Sequence, residues 1–375
     1  MSVASTGGPE VLVNLLWLVP GVVGGSEESV TDALRSLHAR DGDLRLRLAV
    51  LEPFLEAHPD LVEAHPVEVL RLDGRDKARR VLAEQTWLAR TTRSRRPALV
   101  HHAGGTVPLV HPGRSVLTIQ DLQPLDLPHN FSRTKRTYLH SMIGRSARAA
   151  DVVCVPSEFT RDRVLDRLGV PAERVRVVPW HVRPAPAEVP AVPPDVVPDG
   201  PYLLYPAITY PHKNHLVLLE AVARLDDDVT LVLTGGAGPD EAEVMARVDR
   251  LGLGDRVRRP GRVPAAHLEA LYAAAAAVVV PSRYEGFGLP ALEAMERGCP
   301  VVVSAAGSLP EVVRAEDLVP ADDVTAWAEA VQAVLSLAPE AREQRIAAGR
   351  EAAARFSAAR TAEGLHDVYH ALVQR

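Results

Sequence analysis

Two glutamates in one short segment, Glu285 and Glu293, have the residue type and setting expected of ligand-binding carboxylates, with seven residues between them. The segment begins VVVPSRYEGFGLPALEAMERG at Val278, which predicts a buried strand, a loop, and a helix that starts near Pro290. Glu285 then lies in the loop and Glu293 in the helix, deeper in the site. Carboxylates accept hydrogen bonds from sugar hydroxyls. Two solvated acids at an ordinary strand–turn–helix joint are the alternative.

The loop between these glutamates is predicted to bind an anion. Gly286 and Gly288 allow the backbone to approach a ligand closely. The amides of Gly288 and Leu289, together with the positive end of the helix dipole, favour a negatively charged group. A diphosphate fits such a site, and Gly298 is expected to end the helix.

A second strand–loop–helix segment, which reads YLLYPAITYPHKNHLVLLEAV from Tyr202, supplies a cation. Its loop carries Thr209, Lys213 and Asn214. Lys213 is expected at the carboxyl edge of the first strand of a Rossmann-like domain, where it would neutralise phosphate charge as a point cation. The alternative is a lysine on a solvated loop.

Weaker candidates follow other predicted strands. Gly24 and Gly25 precede a helix and suit either a phosphate-binding turn or a structural one, and Gly235 follows a strand in the second half. Ser26, His102, Gln120 and Asp121 lie at or near the ends of predicted strands in the first half and could reach a ligand cleft. They are weak candidates for the acceptor side of that cleft, where a second substrate would bind. A basic helix from about Arg133 to Arg148 predicts either a solvated face or contact with an anionic membrane surface.

These segments belong to an alternation of short Val- and Leu-rich runs with helical stretches. The runs predict strands that include Val11–Val19, Val152–Val155 and Ala277–Val280, and the helical stretches predict helices that include Glu27–Ala39 and Asp76–Thr91. Unbroken apolar runs are typical of strands buried on both faces of a parallel sheet, so the pattern predicts α/β, doubly wound domains. We predict an N-terminal Rossmann-like domain over residues 1–182, a proline-rich linker over 183–200 and a second such domain over 201–357. The final helix, residues 358–375, is predicted to cap either domain.

Composition narrows the function. The chain of 375 residues carries a formal net charge of −6, so nucleic acid is not expected as a partner. Two cysteines in apolar settings predict no disulfide and no metal ligands. The N-terminal stretch has no basic segment and is predicted to be a strand, not a signal peptide. We therefore expect a cytoplasmic protein, with peripheral contact at the inner membrane face left open.

Taken together, these segments resemble glycosyltransferase family 4, the retaining GT-B enzymes. The EGFGLPALE sequence is similar to the family's E-x7-E signature, and GRVPAAHLEALYAAAAAVVVPSRYEGFGLP and SAAGSLPEVV resemble its second domain. The resemblance implies two Rossmann-like domains facing across a cleft. It covers nearly the whole chain, and the YPAITYPHKNH sequence resembles a subset linked to mannose or rhamnose transfer.

The resemblance also implies roles for individual residues. Glu293 would hold the ribose hydroxyls of a nucleotide, and Lys213 would bind phosphate. Glu285 and the backbone of residues 287–289 would meet the donor sugar and diphosphate. The remaining donor-binding residues implied are Gly24, Gly25, Phe287, Arg262 and Val263. Two positions depart from the family pattern, since Ile208 stands where many members have arginine and Gln120 where many have histidine.

The predicted function is retaining transfer of a hexose, with mannose or rhamnose favoured, from a nucleotide diphosphate sugar. The donor is GDP-, UDP- or dTDP-linked, and the acceptor is a glycan, a lipid-linked molecule or a small molecule. Lys213 and Glu285 are the predicted catalytic residues, and no metal or other cofactor is expected. The alternatives are a non-catalytic GT-B module that binds sugar nucleotides, or another GT-B enzyme such as a phosphorylase or an epimerase.

Overall fold

The computed structural model of the chain describes residues 8–22, 25–40, 44–131, 133–193 and 195–374, without side chains at 134 and 135. It divides into two compact units. Unit 1 comprises the chain up to His181 together with residues from Ala358 onward, and unit 2 comprises Val182–Ser357.

Within the described residues, unit 1 contains one parallel sheet of seven strands in the order β3-β2-β1-β4-β5-β6-β7. The strands are β1 Glu10–Asn14, β2 Arg45–Leu51, β3 Val67–Leu70, β4 Leu99–His102, β5 Arg114–Thr118, β6 Val152–Val155 and β7 Val175–Val177. The central strands are buried along nearly their whole length, as the unbroken apolar runs require.

Helices connect these strands and cover both faces of the sheet. The helices of unit 1 are α1 Gly25–Ala39, α2 Phe54–Ala57, α3 Pro59–Ala64, α4 Lys77–Ala83, α5 Ala89–Arg95, α6 Gln123–Asp126, α7 Arg133–Ala149 and α8 Glu158–Leu168. Asp76 caps α4 by accepting hydrogen bonds from the amides of residues 78 and 79, and Ser157 caps α8. The last helix of the chain, Ala358–Val373, also packs in unit 1, on α1.

Unit 2 repeats this architecture with six parallel strands in its described residues, ordered β10-β9-β8-β11-β12-β13. The strands are β8 Tyr202–Pro206, β9 Thr230–Thr234, β10 Val257–Gly261, β11 Ala277–Val280, β12 Val301–Ser304 and β13 Leu318–Val319. The helices are α9 His215–Val222, α10 Glu241–Arg250, α11 Ala265–Ala274, α12 Leu289–Glu296, α13 Leu309–Val312, α14 Val324–Leu335 and α15 Pro339–Ala353. The helix of residues Ala358–Val373 is accordingly α16.

The predicted doubly wound α/β class is confirmed in both units, but several elements differ from the sequence prediction. Strand β3 was not predicted, because Glu68 interrupts its apolar pattern; its carboxylate instead pairs with Arg47 and Arg95. Helix α15 was also missed, since its sequence is mostly alanine and charged residues without a continuous apolar stripe. The helix predicted from Asp76 is split by a π-helical segment, Glu84–Leu88.

Two predicted element boundaries, the end of the first strand and the start of the first helix, were also wrong. The first strand was predicted to continue to Val19, whereas β1 ends at Asn14 and the chain then turns. Ser26 was predicted to precede a helix, whereas α1 begins at Gly25 and includes it. Gly298 does end α12 as predicted, with a left-handed φ of 71°.

The strand order of each unit reverses direction once, at β1 and β4 in unit 1 and at β8 and β11 in unit 2. In open α/β sheets, ligands bind outside the carboxyl ends of strands at such a switch point. The loops after these four strands are therefore the places to look for a site.

Candidate functional site

Lys213 and Glu285 meet at the switch point of unit 2. Lys213 ends a short 3-10 turn after β8, and Glu285 lies in the loop after β11. The Lys213 ammonium Nζ is 2.6 Å from Glu285 Oε1, and both side chains are mostly buried. Since Glu285 is the one partner of that ammonium in the described residues, two of its N–H donors remain available to a ligand.

The Glu285 loop is held rigidly by its neighbours. Ser282 Oγ donates to Glu285 Oε1 at 2.6 Å, and Ser308 Oγ donates to the Glu285 carbonyl at 3.0 Å. Gly307 has a left-handed φ of 61°, and a Cβ there would lie 2.7 Å from the Glu285 amide nitrogen and carbonyl oxygen. The loop after β12 therefore fits closely around the backbone of Glu285.

Helix α12 begins immediately beyond this loop, as predicted. Gly288 is its N-cap residue, with a φ of 104°, and a Cβ there would lie 2.7 Å from Leu309 Cδ2. The Leu289 amide is at the first helical position, where an N–H has no intrahelical acceptor. Gly286 is half-buried, whereas the Phe287 ring is buried against Phe356, so any ligand contact by Phe287 involves its backbone.

Glu293 lies in the second turn of α12 and is half-buried. The hydroxyl of buried Tyr272, from α11, donates to Glu293 Oε2 at 2.6 Å. Burial next to this carboxylate raises the pKa of Tyr272 well above its usual range, which keeps the hydroxyl a donor. Arg297 stacks on the Tyr272 ring and pairs with both oxygens of Glu269, so the Glu293 carboxylate has a fixed setting.

The loop that carries Lys213 is anchored on both sides. Tyr205, in β8, donates to the Lys213 carbonyl at 2.8 Å. Asn214 is buried in a left-handed conformation and donates to the carbonyl of Ala321 at 2.7 Å. Thr209 is fully buried, and its hydroxyl accepts from the Gly238 amide and donates to Glu241 at 2.7 Å. Thr209 and Asn214 thus hold the loop with their side chains.

Gly235 begins the loop after β9 with a φ of 104°, and a Cβ there would lie 2.6 Å from the Ala207 carbonyl oxygen. The buried guanidinium of Arg259 binds the carbonyls of Gly235 and Gly236 at 2.7 and 3.1 Å and pairs with Glu241. Arg262 is exposed, and its side chain lies over Gly236 beside Ile208. The neighbouring predicted contact, Val263, is half-buried.

The structure brings together only some of the site residues that were predicted in unit 1. Gly24 lies outside the described residues, and Gly25 is exposed at the start of α1. Ser26 Oγ donates to Gln120 Oε1 at 2.5 Å. Gln120 and its neighbour Asp121 line a cleft of about 210 Å³.

His102, the fourth predicted acceptor-side residue, is instead buried at the end of β4, with Nδ1 3.4 Å from Asn14 Nδ2. Burial lowers the pKa of His102 to about 3, so it is neutral.

Sequence reasoning missed the residues that hold the predicted ones in place. Tyr205, Ser282 and Arg259 lie in or directly after strands, and their roles depend on neighbours distant in the chain. Tyr272 reaches Glu293 from a different helix. Gly307 and Ser308 belong to SAAGSLPEVV, and Tyr272 and Ser282 to GRVPAAHLEALYAAAAAVVVPSRYEGFGLP, so the family resemblance marked these segments but not the contacts that their side chains make.

In the described part of the chain, no three His, Cys, Asp or Glu side chains are grouped so that they could hold a metal ion. The same residues include no helix with the length and apolarity needed to cross a membrane.

Two family models match the chain, and together they cover most of it. The model described as Glycosyltransferase Family 4 matches residues 23–185. The model described as Glycosyl transferases group 1 matches residues 194–352.

Curated relatives carry related names. O-antigen chain mannosyltransferase B of Escherichia coli is 33% identical over 210 residues, which are 53% of this chain and 55% of that protein. A D-inositol 3-phosphate glycosyltransferase of Xylanimonas cellulosilytica is 32% identical over 292 residues, which are 72% of this chain and 67% of that protein. The chain thus spans about half to two thirds of the length of these two relatives.

Solved structures share the fold over nearly the whole chain. Sucrose-phosphate synthase from Thermosynechococcus elongatus has a TM-score of 0.77 at 23% identity, with 97% of this chain and 99% of that chain covered. Anabaena HepE in complex with UDP-glucose has a TM-score of 0.72 at 21% identity, with coverage of 97% and 100%. These likenesses bear on the fold alone.

Proposed function

This chain belongs to glycosyltransferase family 4 and has the GT-B fold, and on that premise we propose that it is an active, retaining hexosyltransferase that uses a nucleotide diphosphate sugar. The observation that carries the proposal is the 2.6 Å contact between Lys213 and Glu285 beside the N-terminus of α12. A cation, a carboxylate and helix-end amides meet there at a topological switch point. This set of groups matches the charge and hydroxyls of a sugar diphosphate.

In the proposed reaction, the bond between the sugar C1 and the diphosphate oxygen breaks, and a bond from C1 to an acceptor hydroxyl oxygen forms. The proton of that hydroxyl passes to the departing diphosphate, so charge and atoms balance. Negative charge develops on the leaving oxygen, where the Lys213 ammonium and the Leu289 amide stabilise it. Configuration at C1 is retained because the acceptor attacks from the face that the diphosphate leaves.

Glu285 is proposed to bind the donor sugar and to position Lys213, not to form a covalent intermediate. Its Oε1 already accepts hydrogen bonds from Lys213 and Ser282, both at 2.6 Å. These bonds lower the nucleophilicity of that oxygen and hold the carboxylate in one orientation. Glu293, oriented by Tyr272, is proposed to bind the ribose hydroxyls of the nucleotide.

Mannose is the proposed sugar. The support is the name of the Escherichia coli relative, a mannosyltransferase that is 33% identical over the aligned region. Transfer is proposed to need no metal, because Lys213 and the helix-end amides supply the charge stabilisation that a divalent cation would provide.

We also propose that unit 1 touches an anionic membrane surface. Leu82 at 62%, Leu109 at 61% and Tyr138 at 37% are exposed apolar side chains, and Tyr138 lies on α7 together with exposed Arg133 and Arg136. The end of α4, which carries Leu82, is joined to the loop of Leu109, since Gln85 accepts a hydrogen bond from the Leu109 amide at 2.7 Å. Apolar side chains beside arginines suit the interface of an anionic bilayer.

A donor panel tests the central proposal. The purified chain is mixed with GDP-mannose, UDP-glucose and dTDP-rhamnose, and melting temperature and nucleotide release are recorded with and without EDTA. GDP-mannose is expected to raise the melting temperature and to be cleaved at the same rate with the chelator present. A donor that binds without being cleaved in the presence of acceptor glycans would identify a non-catalytic module. A pyridoxal absorbance band would identify a phosphorylase.

A further inference from the structure

Two aromatic rings meet beside the N-terminus of α12. Phe287, in the loop that precedes this helix, packs edge-on against Phe356, with the ring centroids 5.4 Å apart and an angle of 82° between the ring planes. Phe287 is buried and Phe356 is half-buried, in the segment that follows α15. Edge-to-face rings at this separation attract each other in addition to the gain from burying their area. The pair therefore joins the loop to the end of unit 2.

The Phe287 side chain matters to the loop because glycines flank it. Gly286 precedes it, and Gly288 follows with a left-handed φ of 104°. Glycine restrains its own backbone weakly, since it has no Cβ, so contacts with neighbouring groups must select the conformation of these three residues. Leu309 supplies one contact, with Cδ2 2.7 Å from where a Cβ of Gly288 would lie, and Phe356 supplies the other. Together they fix the backbone that leads into α12.

Packing of α15 on α12 places Phe356 at this loop. Gly349 of α15 faces Met295 of α12, since a Cβ at Gly349 would lie 3.4 Å from Met295 Cγ. Phe356 comes after Gly349 in the chain, whereas Phe287 comes before Met295, and the two rings also meet. Helix α15 therefore runs antiparallel to α12, and the segment after its last residue reaches the N-terminus of α12.

Further contacts within unit 2 hold Phe356 itself. Its carbonyl accepts a hydrogen bond from the Val182 amide at 3.1 Å. The Arg355 guanidinium lies 5.3 Å from the centre of its ring, which is within the range of a cation–π interaction. The same guanidinium is 3.4 Å from the carbonyl oxygen of Val312, in the helix that also carries Leu309. Helix α13 thus restrains the loop directly through Leu309 and indirectly through Arg355 and the two rings.

We propose that Phe356 is a positioning residue for donor binding, whose ring holds Phe287 so that the backbone amides at the start of α12 meet the donor diphosphate. The functional part of this inference rests on the proposed use of a nucleotide diphosphate sugar. Phe356 touches no donor atom and acts through Phe287 alone. Loss of its ring therefore loosens the loop and weakens the use of donor, whereas acceptor binding is unaffected.

Amide hydrogen exchange of the full chain tests the positioning without any ligand. Phe356→Leu keeps an apolar side chain and removes the ring, and peptides that cover residues 284–290 are expected to exchange about fivefold faster than in the original chain. Phe356→Tyr keeps the ring and should exchange like the original. Phe54→Leu removes a buried ring from the core of unit 1 and is the matched control, which should leave exchange in this loop unchanged.

Donor kinetics provide the functional measurement, with GDP-mannose as donor and mannotriose as acceptor, or with whichever donor of the panel is cleaved. In Phe356→Leu the kcat/KM for donor should fall about fivefold, because the loop must be ordered when donor binds. The KM for acceptor should stay within about twofold of the original. Phe356→Tyr should restore the kcat/KM for donor, and Phe54→Leu should leave it unchanged even where its melting temperature is lower.

Unchanged exchange of the loop in Phe356→Leu would overturn the inference, and so would equal losses in Phe356→Leu and Phe54→Leu. If Phe356→Leu does not fold, Arg355→Ala, at an exposed position, decides the question, since it frees the ring from α13 and should also accelerate exchange of the loop. Exchange in Arg355→Ala that equals the original would then overturn the inference. Faster exchange in the variants together with no donor cleavage by the original chain would contradict the proposed function and support the positioning.

Discussion

The Lys213 ammonium and the Glu285 carboxylate lie 2.6 Å apart although 72 positions separate them in the chain. They meet because β8 and β11, whose carboxyl ends lead to their two loops, are adjacent in the sheet of unit 2. The contact fixes the lysine against the loop that leads into the N-terminus of α12.

Lys213→Ala should lower kcat by a hundredfold or more, because one preorganised donor at a developing oxyanion contributes roughly 3–4 kcal/mol. The rate is measured with saturating donor and acceptor, and melting temperature is recorded because Glu285 loses its ion pair. Lys77→Ala, at an exposed lysine that begins α4, is the control. A Lys213→Ala rate within threefold of the original would remove this lysine from the mechanism.

Tyr272→Phe should weaken donor binding, because it removes the hydrogen bond that orients Glu293. The loss of one such bond costs about 1 kcal/mol, or roughly a fivefold rise in donor KM, with kcat little changed. Tyr202→Phe is a close control, since Tyr202 is equally buried and donates to the carbonyl of Leu271 at 2.6 Å, away from Glu293. Equal effects of the two substitutions on donor KM would argue against a role for Glu293 in binding.

Gly307→Ala should lower both stability and activity, because its Cβ would collide with the Glu285 backbone at 2.7 Å. Gly252→Ala separates this collision from backbone strain. Gly252 has a similar left-handed φ, 66° against 61°, but its Cβ would meet nothing within 4 Å. Both variants should lose about 1 kcal/mol from strain, and only Gly307→Ala should also lose turnover. Chemical denaturation and steady-state rates distinguish the two outcomes.

Glu84 should make stability depend on pH. Burial raises the pKa of this carboxyl to about 7 in the folded chain, from 4.5 when exposed. The folded state therefore binds the proton more tightly than the unfolded state does. The resulting contribution of Glu84 to the free energy of unfolding is fully present below pH 4.5 and is lost as pH rises through about 7. The fall is at most about 3 kcal/mol.

Glu84→Gln keeps the shape of the side chain and removes the charge. Its free energy of unfolding should exceed that of the original chain by an amount that grows between pH 5 and pH 7.5. Urea denaturation at several pH values measures this difference. A difference that stays constant with pH would mean that Glu84 titrates normally.

Vesicle binding tests the surface of unit 1 that carries Leu82, Leu109, Tyr138 and Arg136. Sedimentation with vesicles rich in phosphatidylglycerol should exceed sedimentation with phosphatidylcholine vesicles, and high salt should reduce it. Leu109→Glu should weaken binding severalfold. Met245→Glu, at an exposed apolar residue of unit 2, should not. Equal binding to both lipids would contradict an electrostatic contribution.

Much of the fold could be predicted from the local pattern of apolar residues in the sequence. Val152–Val155 and Ala277–Val280 are continuous buried runs between loops, and both were predicted with the observed bounds. Strand β3 and helix α15 were missed because tertiary contacts stabilise them. Arg47 and Arg95 neutralise Glu68 in β3, and Gly349 of α15 fits against Met295. Neither partnership leaves a periodic apolar signal.

The sequence by itself determined the strand–loop–helix segments that carry Lys213, Glu285 and Glu293, since glycines, prolines and apolar runs act over a few residues. It also determined that these loops would begin at the carboxyl ends of parallel strands. Only the tertiary structure decided which loops meet: that Tyr272 orients Glu293, that Ser26 holds Gln120, and that His102 is buried. Those contacts join residues far apart in the chain, and strand order, which no local pattern encodes, brings them together.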